Sequence, residues 1–415
     1  MSDLSVFSET LKPPVMSYNQ SLEAFKQDKD FAKIFLGHRD CRTDDGLPWV
    51  IPLIKTTQQH ISNDPTLNHE HLPLLGLPEF TRVATELAIG KHSIALIENR
   101  AGGIQTPGGT GALWLGAKFL QQWYKVNFPK QTAVYVSLPA WDTHGGIFQN
   151  AGFTDIRSYH YWDCMEMGIG MKELVIDLED APDNSIVVLH CTPNNPTGMD
   201  FTPQEWIQIA NLMQKKKLFP FFHLSAQGLA SGDLDRDVLP FRFFIEQGFE
   251  LFCAQSFSKN FGLYEKSVGN LIVVAKNNKT LLSIRSQLEI IIRLAWWSPP
   301  ALGARIVATV LNNPAILAEW KENIKEMAEH IMLMRLKLKE KLRTLGTLGT
   351  WEHLTTQMGL YSFSGLNASQ VDILRTKRHV YLGANGQINM SSLNSGNIDY
   401  VAQCIHEAVN LSYLG

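Results

Sequence analysis

The chain lacks the features that mark a secreted, membrane-spanning or nucleic-acid-binding protein. Its five cysteines are odd in number, widely spaced and form no CxxC pair, which argues against a disulfide scaffold or a zinc site and fits a reducing cytosol. No uninterrupted apolar stretch approaches the ~18 residues of a membrane span. Residues 1–14 show neither a signal-peptide nor a transit-peptide pattern. We therefore expect a cytoplasmic protein without a membrane partner.

The chain also has no large excess of positive or of negative charge. The 37 basic residues stand against 40 acidic ones, and the formal net charge is −3. This balance offers no basic surface for nucleic acid or for an anionic membrane. Hydrophobic residues make up 45% and charged residues 19% of the 415 residues, which is an ordinary globular composition. At ~150 residues per domain, the length predicts two or three domains.

Short apolar runs alternate with helical patterns through the middle of the chain. The runs are rich in Val, Ile or Phe and apolar on both faces, which is typical of strands in a buried, mostly parallel sheet. The candidate strands are 93–97, 133–138, 185–190, 220–224, 252–257 and 270–275. The segments between them are long enough for crossover helices. The pattern predicts an α/β architecture.

Three helices are well signalled. Residues 202–205 form a capping box with proline at the first helical position, and the lysines at 215–217 would be solvated cations near the other end. After Pro314, apolar residues recur every three or four positions as far as Leu342. We interpret this as a helix that joins a large domain to a smaller one, with a coiled coil as the alternative. A last helix is predicted near 397–411.

Three local motifs carry candidate chemistry. The turn PGGTG at 107–111 opens a helical pattern, and its free N–H groups could cradle a phosphate, although most glycine turns bind nothing. The run NNPTG at 194–198 follows a buried strand, where ligands bind in α/β sheets, or it is a plain turn. The run SFSKNFG at 256–262 places Lys259 at the end of an apolar strand, either as an amine poised to form a Schiff base or as a structural lysine.

Together, these motifs resemble the class I aminotransferases that use pyridoxal phosphate. They occur in that order across ~150 residues, with SLPAW at 137–141 between the first two. The runs at 72–80, 230–237, 253–264 and 298–301 resemble the aspartate aminotransferases in particular. The resemblance implies aminotransferase fold type I: a large domain with a mostly parallel central sheet plus a smaller α/β domain.

The resemblance also implies a domain layout and an assembly. Residues 1–14 would form an N-terminal arm that embraces a partner subunit. The small domain would combine 15–49 with 327–415, the second part led by the long helix, and 50–326 would form the large cofactor-binding domain. The implied assembly is a homodimer with active sites shared across the interface.

Several positions match the family's functional residues. Lys259 matches the lysine that holds the cofactor and moves the substrate proton, and Asn195 the asparagine that hydrogen-bonds the ring hydroxyl. Trp141 matches the aromatic residue that stacks on the ring and helps to bind the substrate carboxylate. The matching phosphate-binding positions are Gly109, Thr110 and Ser256. No metal is implied.

Other matches concern the substrate and the surroundings of the ring. Arg293 matches the arginine that reaches over from the neighbouring subunit and holds the side-chain carboxylate of a dicarboxylic substrate. His144 and His190 match histidines around the cofactor ring, and a purely structural role fits them as well. The implied small-molecule partner is a dicarboxylic amino acid or oxo acid.

Seven positions depart from the family pattern. His223 stands where an aspartate keeps the pyridine nitrogen protonated, and a neutral imidazole can hydrogen-bond that nitrogen without holding it protonated by charge. Gln387 replaces the arginine that grips the α-carboxylate, and Ser267 the arginine paired with the phosphate; Lys266 beside it would face the other way. The remaining four replace a ring-oxygen tyrosine, a phosphate serine, a cross-subunit tyrosine and a glycine near the substrate entrance: Ala226, Gly108, His71 and Arg39.

These departures predict altered catalysis. A charge-assisted hydrogen bond contributes ~1.5–3 kcal/mol, so loss of the phosphate arginine predicts cofactor binding weaker by about ten- to a hundredfold. The resemblance implies amino transfer between aspartate and 2-oxoglutarate through pyridoxal phosphate, with impaired or altered activity. One alternative is a silent pseudoenzyme that acts through partners. Another is different chemistry of the same cofactor on an acidic amino acid, such as racemisation or decarboxylation.

Overall fold

A computed structural model describes residues 5–13, 17–128 and 132–411. Within these ranges the helices are α1 Ser17–Gln27, α2 Pro52–Ser62, α3 Pro78–Ile89, α4 Ile94–Ile97, α5 Gly108–Phe119, α6 Lys125–Asn127, α7 Thr143–Ala151, α8 Met171–Glu179, α9 Pro203–Lys215, α10 Leu239–Glu246, α11 Asn278–Ala295, α12 Ala301–Asn312, α13 Pro314–Thr344, α14 His353–Thr356, α15 Ala368–Arg378 and α16 Ile398–Leu411. Part of the predicted N-terminal arm, residues 1–4 and 14, lies outside the described residues.

The strands group into one large sheet and three two-stranded sheets. Their bounds are β1 Ile34–Phe35, β2 Ala101–Pro107, β3 Val134–Leu138, β4 Ile156–His160, β5 Trp162–Asp163, β6 Gly168–Ile169, β7 Ile186–His190, β8 Phe219–Leu224, β9 Leu251–Ser256, β10 Val268–Val274, β11 Tyr361–Phe363, β12 Val380–Tyr381 and β13 Gln387–Asn389. The large sheet has the order β2-β10-β9-β8-β7-β3-β4, and the small sheets are β1-β12, β5-β6 and β11-β13.

The central sheet is mostly parallel, as predicted. The pairs β3-β4, β3-β7, β7-β8 and β8-β9 are parallel, and only β10 runs antiparallel to both of its neighbours. All residues of β7, β9 and β10 are buried. Apolar side chains on both faces of these strands face core clusters on either side of the sheet.

One predicted strand is wrong, and two strands of the large sheet were missed along with all strands of the small sheets. Residues 93–97 do not form a strand, because Ile94–Ile97 is a short helix. Periodicity cannot distinguish a strand from a helix turn in so short an apolar run. The missed strands are β2 at one sheet edge and β4 at the other. Strand β2 carries glycine where the fold leaves no room: a Cβ at Gly103 would lie 2.4 Å from Thr85 Oγ1.

The predicted helix at 202–205 and beyond is confirmed as α9. Its capping box is complete: Glu205 N donates to Thr202 Oγ1 over 3.3 Å, and Thr202 N donates to Glu205 Oε2 over 2.7 Å. The apolar stripe led by Trp206 is buried against the sheet. The final helix is confirmed as α16, Ile398–Leu411.

The long helix is confirmed as α13, a single helix of 31 residues. It packs against α12 at one end and against α14 and α16 further along, so its apolar stripe is covered within the chain. Trp320 Nε1 donates to Asn260 O over 2.9 Å and ties α13 to the loop after β9. Arg335, fully buried, donates to the carbonyls of Leu354, Gly359 and Tyr361. The domain boundaries themselves stay a prediction.

No single described helix combines the length and the apolar composition of a membrane span. Only α12 and α13 taken together reach a membrane-like length and composition, and a bend of 102° separates them. The functionally important geometry lies instead at the carboxyl edge of the sheet. There the loops after β3, β7, β8 and β9 open beside the N-terminus of α5, which is where ligands bind in α/β folds.

Candidate active site

A cavity of about 560 Å³ opens at this edge of the sheet. The strand-end loops and the start of α5 form its base, and α1, residues 37–39 and residues 382–389 form its mouth. Nearly all predicted site residues line it together: Gly109, Thr110, Trp141, Asn195, His223, Ser256, Lys259 and Gln387. Arg293 is the exception. Residues from six separate segments therefore converge on one space.

Lys259 projects from the loop that follows β9. Asn260 anchors this loop, because its Nδ2 donates to Gln227 O over 3.1 Å and its carbonyl accepts from Trp320. Loss of solvent around the Lys259 amine lowers its pKa. A larger fraction of the amine is therefore neutral near neutral pH than in a solvated lysine, which is the form that attacks a carbonyl carbon.

Three buried histidines stand together beside the cavity. His144 Nε2 and His223 Nδ1 are 2.9 Å apart, and His190 Nε2 lies 3.3 Å from Ser137 Oγ. Burial, reinforced by the neighbouring imidazoles, lowers the pKa values of His144 and His223 well below the ordinary value. Burial lowers the pKa of His190 to about 4. All three rings are neutral at pH 7.

His223 and His190 both line the cavity, and His223 lies between the cavity and His144. His223 Nδ1 is occupied by His144, so Nε2 is the nitrogen left for a ligand. The Trp141 ring stacks on it, with centroids 5.6 Å apart and an interplanar angle of 26°. Because His223 carries no charge, it offers the cavity a hydrogen bond and no fixed charge.

The N-terminus of α5 forms the other end of the base. Gly109 packs so closely that a Cβ there would lie 2.8 Å from Ser256 Cβ. Free N–H groups at this helix end and the hydroxyls of Thr110 and Ser256 suit an anion such as a phosphate. Ser267 also lines the cavity, whereas Lys266 turns away and pairs with Glu265 over 2.6 Å.

Gln387 meets Asn195 across the cavity. Gln387 Nε2 donates to Asn195 Oδ1 over 2.8 Å, and the antiparallel pairing of β13 with β11 fixes the Gln387 backbone. This contact leaves Asn195 Nδ2 without a partner among the described residues. Both side chains are neutral, so this wall of the cavity also lacks fixed charge.

The family model for class I and II aminotransferases matches residues 32–405. The chain belongs to the class I and II aminotransferase family. It is 49% identical over 405 residues to the cytoplasmic aspartate aminotransferase of Gallus gallus, covering 98% of both chains. It is 42% identical to the Homo sapiens protein named "Putative aspartate aminotransferase, cytoplasmic 2", covering 99% of this chain and 96% of the relative.

Solved aminotransferase structures share the fold along nearly the whole chain. One is the aromatic-amino-acid aminotransferase of Burkholderia pseudomallei, covalently bound to pyridoxal phosphate. It superposes with a TM-score of 0.94 at 30% identity, covering 98% of this chain and all of that one. The predicted aminotransferase fold type I is confirmed.

Some of the positions predicted from the sequence lie outside the cavity of their own chain. Arg293 is exposed near the end of α11, with its guanidinium carbon 5.3 Å from the centroid of the Trp297 ring. His71 lies beside the same tryptophan, and its Nδ1 is 3.2 Å from Ser298 Oγ. Ala226 sits behind the wall rather than in it. A role for Arg293 or His71 in a neighbouring subunit stays a prediction.

Several residues that line the cavity were not predicted from the sequence. Tyr18, Tyr361 and Asn389 come from the two ends of the chain, and no local motif marks them. Tyr264 lies five residues after Lys259 within a run that resembles the family, so its position was a usable signal. Among the described residues, no group of three His, Cys, Asp or Glu side chains forms a metal site.

Proposed function

We propose that this protein binds pyridoxal phosphate at Lys259 and transfers amino groups of acidic amino acids such as aspartate, at a rate well below that of an ordinary transaminase. One observation carries the proposal: Lys259, whose amine has a lowered pKa, lines the same cavity as the N-terminus of α5 and the aromatic ring of Trp141. Relatives named aspartate aminotransferase support the choice of substrate class.

The described residues fit this cofactor. The N-terminus of α5 with Gly109 and Ser256 would hold the phosphate, because the close glycine packing lets an anion approach the backbone N–H groups. Asn195 Nδ2 is free to donate to a ring oxygen, and Trp141 offers a ring face. When bound, the cofactor would supply an electron-accepting ring, and Lys259 would move a proton at the substrate Cα.

The proposed low rate follows from missing charge. His223 has a lowered pKa and stays neutral, so it cannot hold a pyridine nitrogen protonated. Gln387 is neutral and already bonded to Asn195, and Ser267 contributes a hydroxyl in place of a guanidinium. The first change would act on the chemical step, and the other two would act on the binding of substrate and cofactor.

The same neutral wall favours a second candidate, a pseudoenzyme that keeps the fold and acts through partners. We also propose that the protein is a homodimer in the cytoplasm, in which Arg293 of one subunit faces the cavity of the other. The relatives' names support the cytoplasmic location. The exposure of Arg293 and its position outside its own cavity support the cross-subunit role.

Borohydride reduction tests the proposed function. The Lys259 Nζ and the cofactor aldehyde join with loss of water, and reduction makes that bond permanent. Mass spectrometry should then find the phosphopyridoxyl group on the peptide that contains Lys259 and not on Lys266, which pairs with Glu265 outside the cavity. Lys259→Gln is the matched control. No label on Lys259 at saturating cofactor would reject both enzymatic readings and leave the pseudoenzyme.

A further inference from the structure

Arg39 stands at the mouth of the cavity as a cation without an anionic partner. It lines the same space as Lys259, Trp141 and Gln387, and no other guanidinium does so among the described residues. The only acidic side chain in this lining is Asp142. Among the described residues Arg39 forms no ion pair with Asp142, and a permanent positive charge left unpaired in a cavity lining points to an anionic ligand.

The backbone around Arg39 is held firmly in place. Asn389 Nδ2 donates to the carbonyls of His38 and Asp40 over 2.8 and 2.9 Å. Tyr361 Oη donates to the carbonyl of Arg39 itself over 3.2 Å. Three consecutive carbonyls are thus bound to residues that also line the cavity. The side chain starts from a fixed point, which reduces the ordering needed for it to meet a ligand.

The Arg39 guanidinium lies over an aromatic ring. Its central carbon is 4.0 Å from the centroid of the Tyr18 ring in α1. Stacking on an aromatic face restrains the planar group while its N–H donors remain available at the edge. The contact holds a group with several N–H donors beside the cavity, and no described residue accepts a hydrogen bond from it.

Neighbouring charges do not neutralise Arg39. Among the described residues no carboxylate lies within ion-pair distance of its guanidinium. The adjacent Asp40 is committed elsewhere, because Arg42 Nη2 lies 3.1 Å from Asp40 Oδ2. His38 also contacts Arg42, and burial lowers its pKa to about 4, so it adds no charge at pH 7. Within the described part of its own chain, Arg39 is therefore the arginine in the cavity lining that is left unpaired for an incoming anion.

We propose that Arg39 binds the carboxylate of a small amino or oxo acid, in place of the charge that Gln387 cannot supply. A guanidinium and a carboxylate can form two parallel N–H···O bonds, which fixes orientation as well as affinity. The inference rests on the proposed function for the kind of ligand, but carboxylate binding itself needs no catalytic turnover. It adds a charged recognition group at a position where the family resemblance implies a glycine.

Calorimetric titration with succinate tests this inference. Succinate carries the carboxylates without an amine, so it binds and does not react. With excess pyridoxal phosphate present, Arg39→Gln should weaken succinate binding by about ten- to a hundredfold. Arg39→Lys should lose less affinity, because lysine keeps the charge and lacks the planar fork. Succinamide, which is neutral, should bind equally weakly to all variants.

Matched controls separate a local effect from a general one. Arg236→Gln removes an exposed arginine outside the cavity and should leave succinate binding unchanged. Adding Gln387→Arg to Arg39→Gln should restore binding, because it returns a guanidinium to the same cavity. Thermal unfolding of each variant checks that the fold is retained; the Arg39 backbone bonds involve only carbonyls and survive the substitution.

The outcomes distinguish this inference from the proposed function. Wild-type affinity for succinate in Arg39→Gln, or no succinate binding by the wild type, would overturn the role of Arg39. Borohydride labelling of Lys259 in the same samples reports separately on the cofactor. Labelled Lys259 with unchanged succinate binding therefore rejects Arg39 alone, whereas unlabelled Lys259 with weakened succinate binding rejects the cofactor and supports Arg39.

Discussion

The inner end of the cavity and its mouth differ in where charge is placed. At the inner end, His144, His190 and His223 are buried, bonded to each other or to Ser137, and neutral. At the mouth, Arg39 is exposed and keeps an unpaired charge. The contrast shows that an exposed charge costs little free energy because water solvates it. A buried charge costs much more unless a partner of opposite charge or a hydrogen bond compensates it.

The largest expected effect comes from restoring charge to the inner end. Adding His223→Asp and Gln387→Arg together should raise the rate of oxaloacetate formation from aspartate more than either change alone. The first should raise turnover, since His144 Nε2 is already placed to bond the new carboxylate. The second should improve substrate binding by ~2–5 kcal/mol, which is the range for one side of a buried charged pair. A coupled assay of the wild type, both singles and the double measures this.

Wild-type turnover at an ordinary rate of ~10–1000 per second would contradict the proposed impairment. A silent double variant that still binds cofactor would show that other positions limit the reaction. Ala226→Tyr is then the next change to add, because the resemblance places a ring-oxygen donor there.

The second prediction compares two arginines, one buried and one exposed. Arg335→Met should lower the free energy of unfolding by ~3–5 kcal/mol, because the carbonyls of Leu354, Gly359 and Tyr361 would lose a buried donor. Arg39→Gln should change it by less than ~0.5 kcal/mol, as expected of an exposed side chain. Urea unfolding of both variants gives the comparison. Equal unfolding midpoints would contradict the structural role of Arg335.

Cofactor affinity supplies the third prediction. Ser267→Arg should tighten binding of pyridoxal phosphate by about ten- to a hundredfold, because position 267 lines the cavity near Gly108 and the start of α5. Ser267→Gln adds length without charge and should have little effect. Titration of absorbance with cofactor, followed by dialysis, measures affinity and retention. A wild type that retains cofactor through dialysis as an ordinary transaminase does would contradict weak binding.

The last prediction concerns the pH dependence of stability and the histidines at the inner end of the cavity. The pKa of His190 is about 4 in the folded chain, against an ordinary value of 6.5, so the unfolded chain binds a proton that the folded chain does not. The contribution of neutral His190 to the free energy of unfolding is fully present above pH 6.5. It declines as the pH falls towards about 4, by at most ~1.4 kcal/mol per pH unit. Urea unfolding across this range should show a shallower decline in His190→Gln. An unchanged slope would mean that His190 titrates normally.

Local patterns predicted most of the base of the cavity. Strands β7, β8 and β9 and the three motifs were recognised because apolar runs and glycine turns are set by neighbours in the chain. The error at 93–97 and the omission of β2 concern short segments whose secondary structure depends on the residues that pack against them. At β2, Thr85 and Asn270 approach from distant elements and require glycine at position 103.

The sequence by itself determined the family, the kinds of side chain at each site position and the absence of fixed charge at 223, 267 and 387. Only the tertiary structure decided that Gln387 bonds Asn195 and that His144 occupies one nitrogen of His223. It also decided that Arg39 lies on Tyr18 and forms no ion pair with any described carboxylate. These contacts join residues tens to hundreds of positions apart, and Arg39 itself is held by Tyr361 and Asn389 from the far end of the chain. Composition and spacing do not encode such pairings, because they arise only when the folded chain brings its two ends to one edge of the sheet.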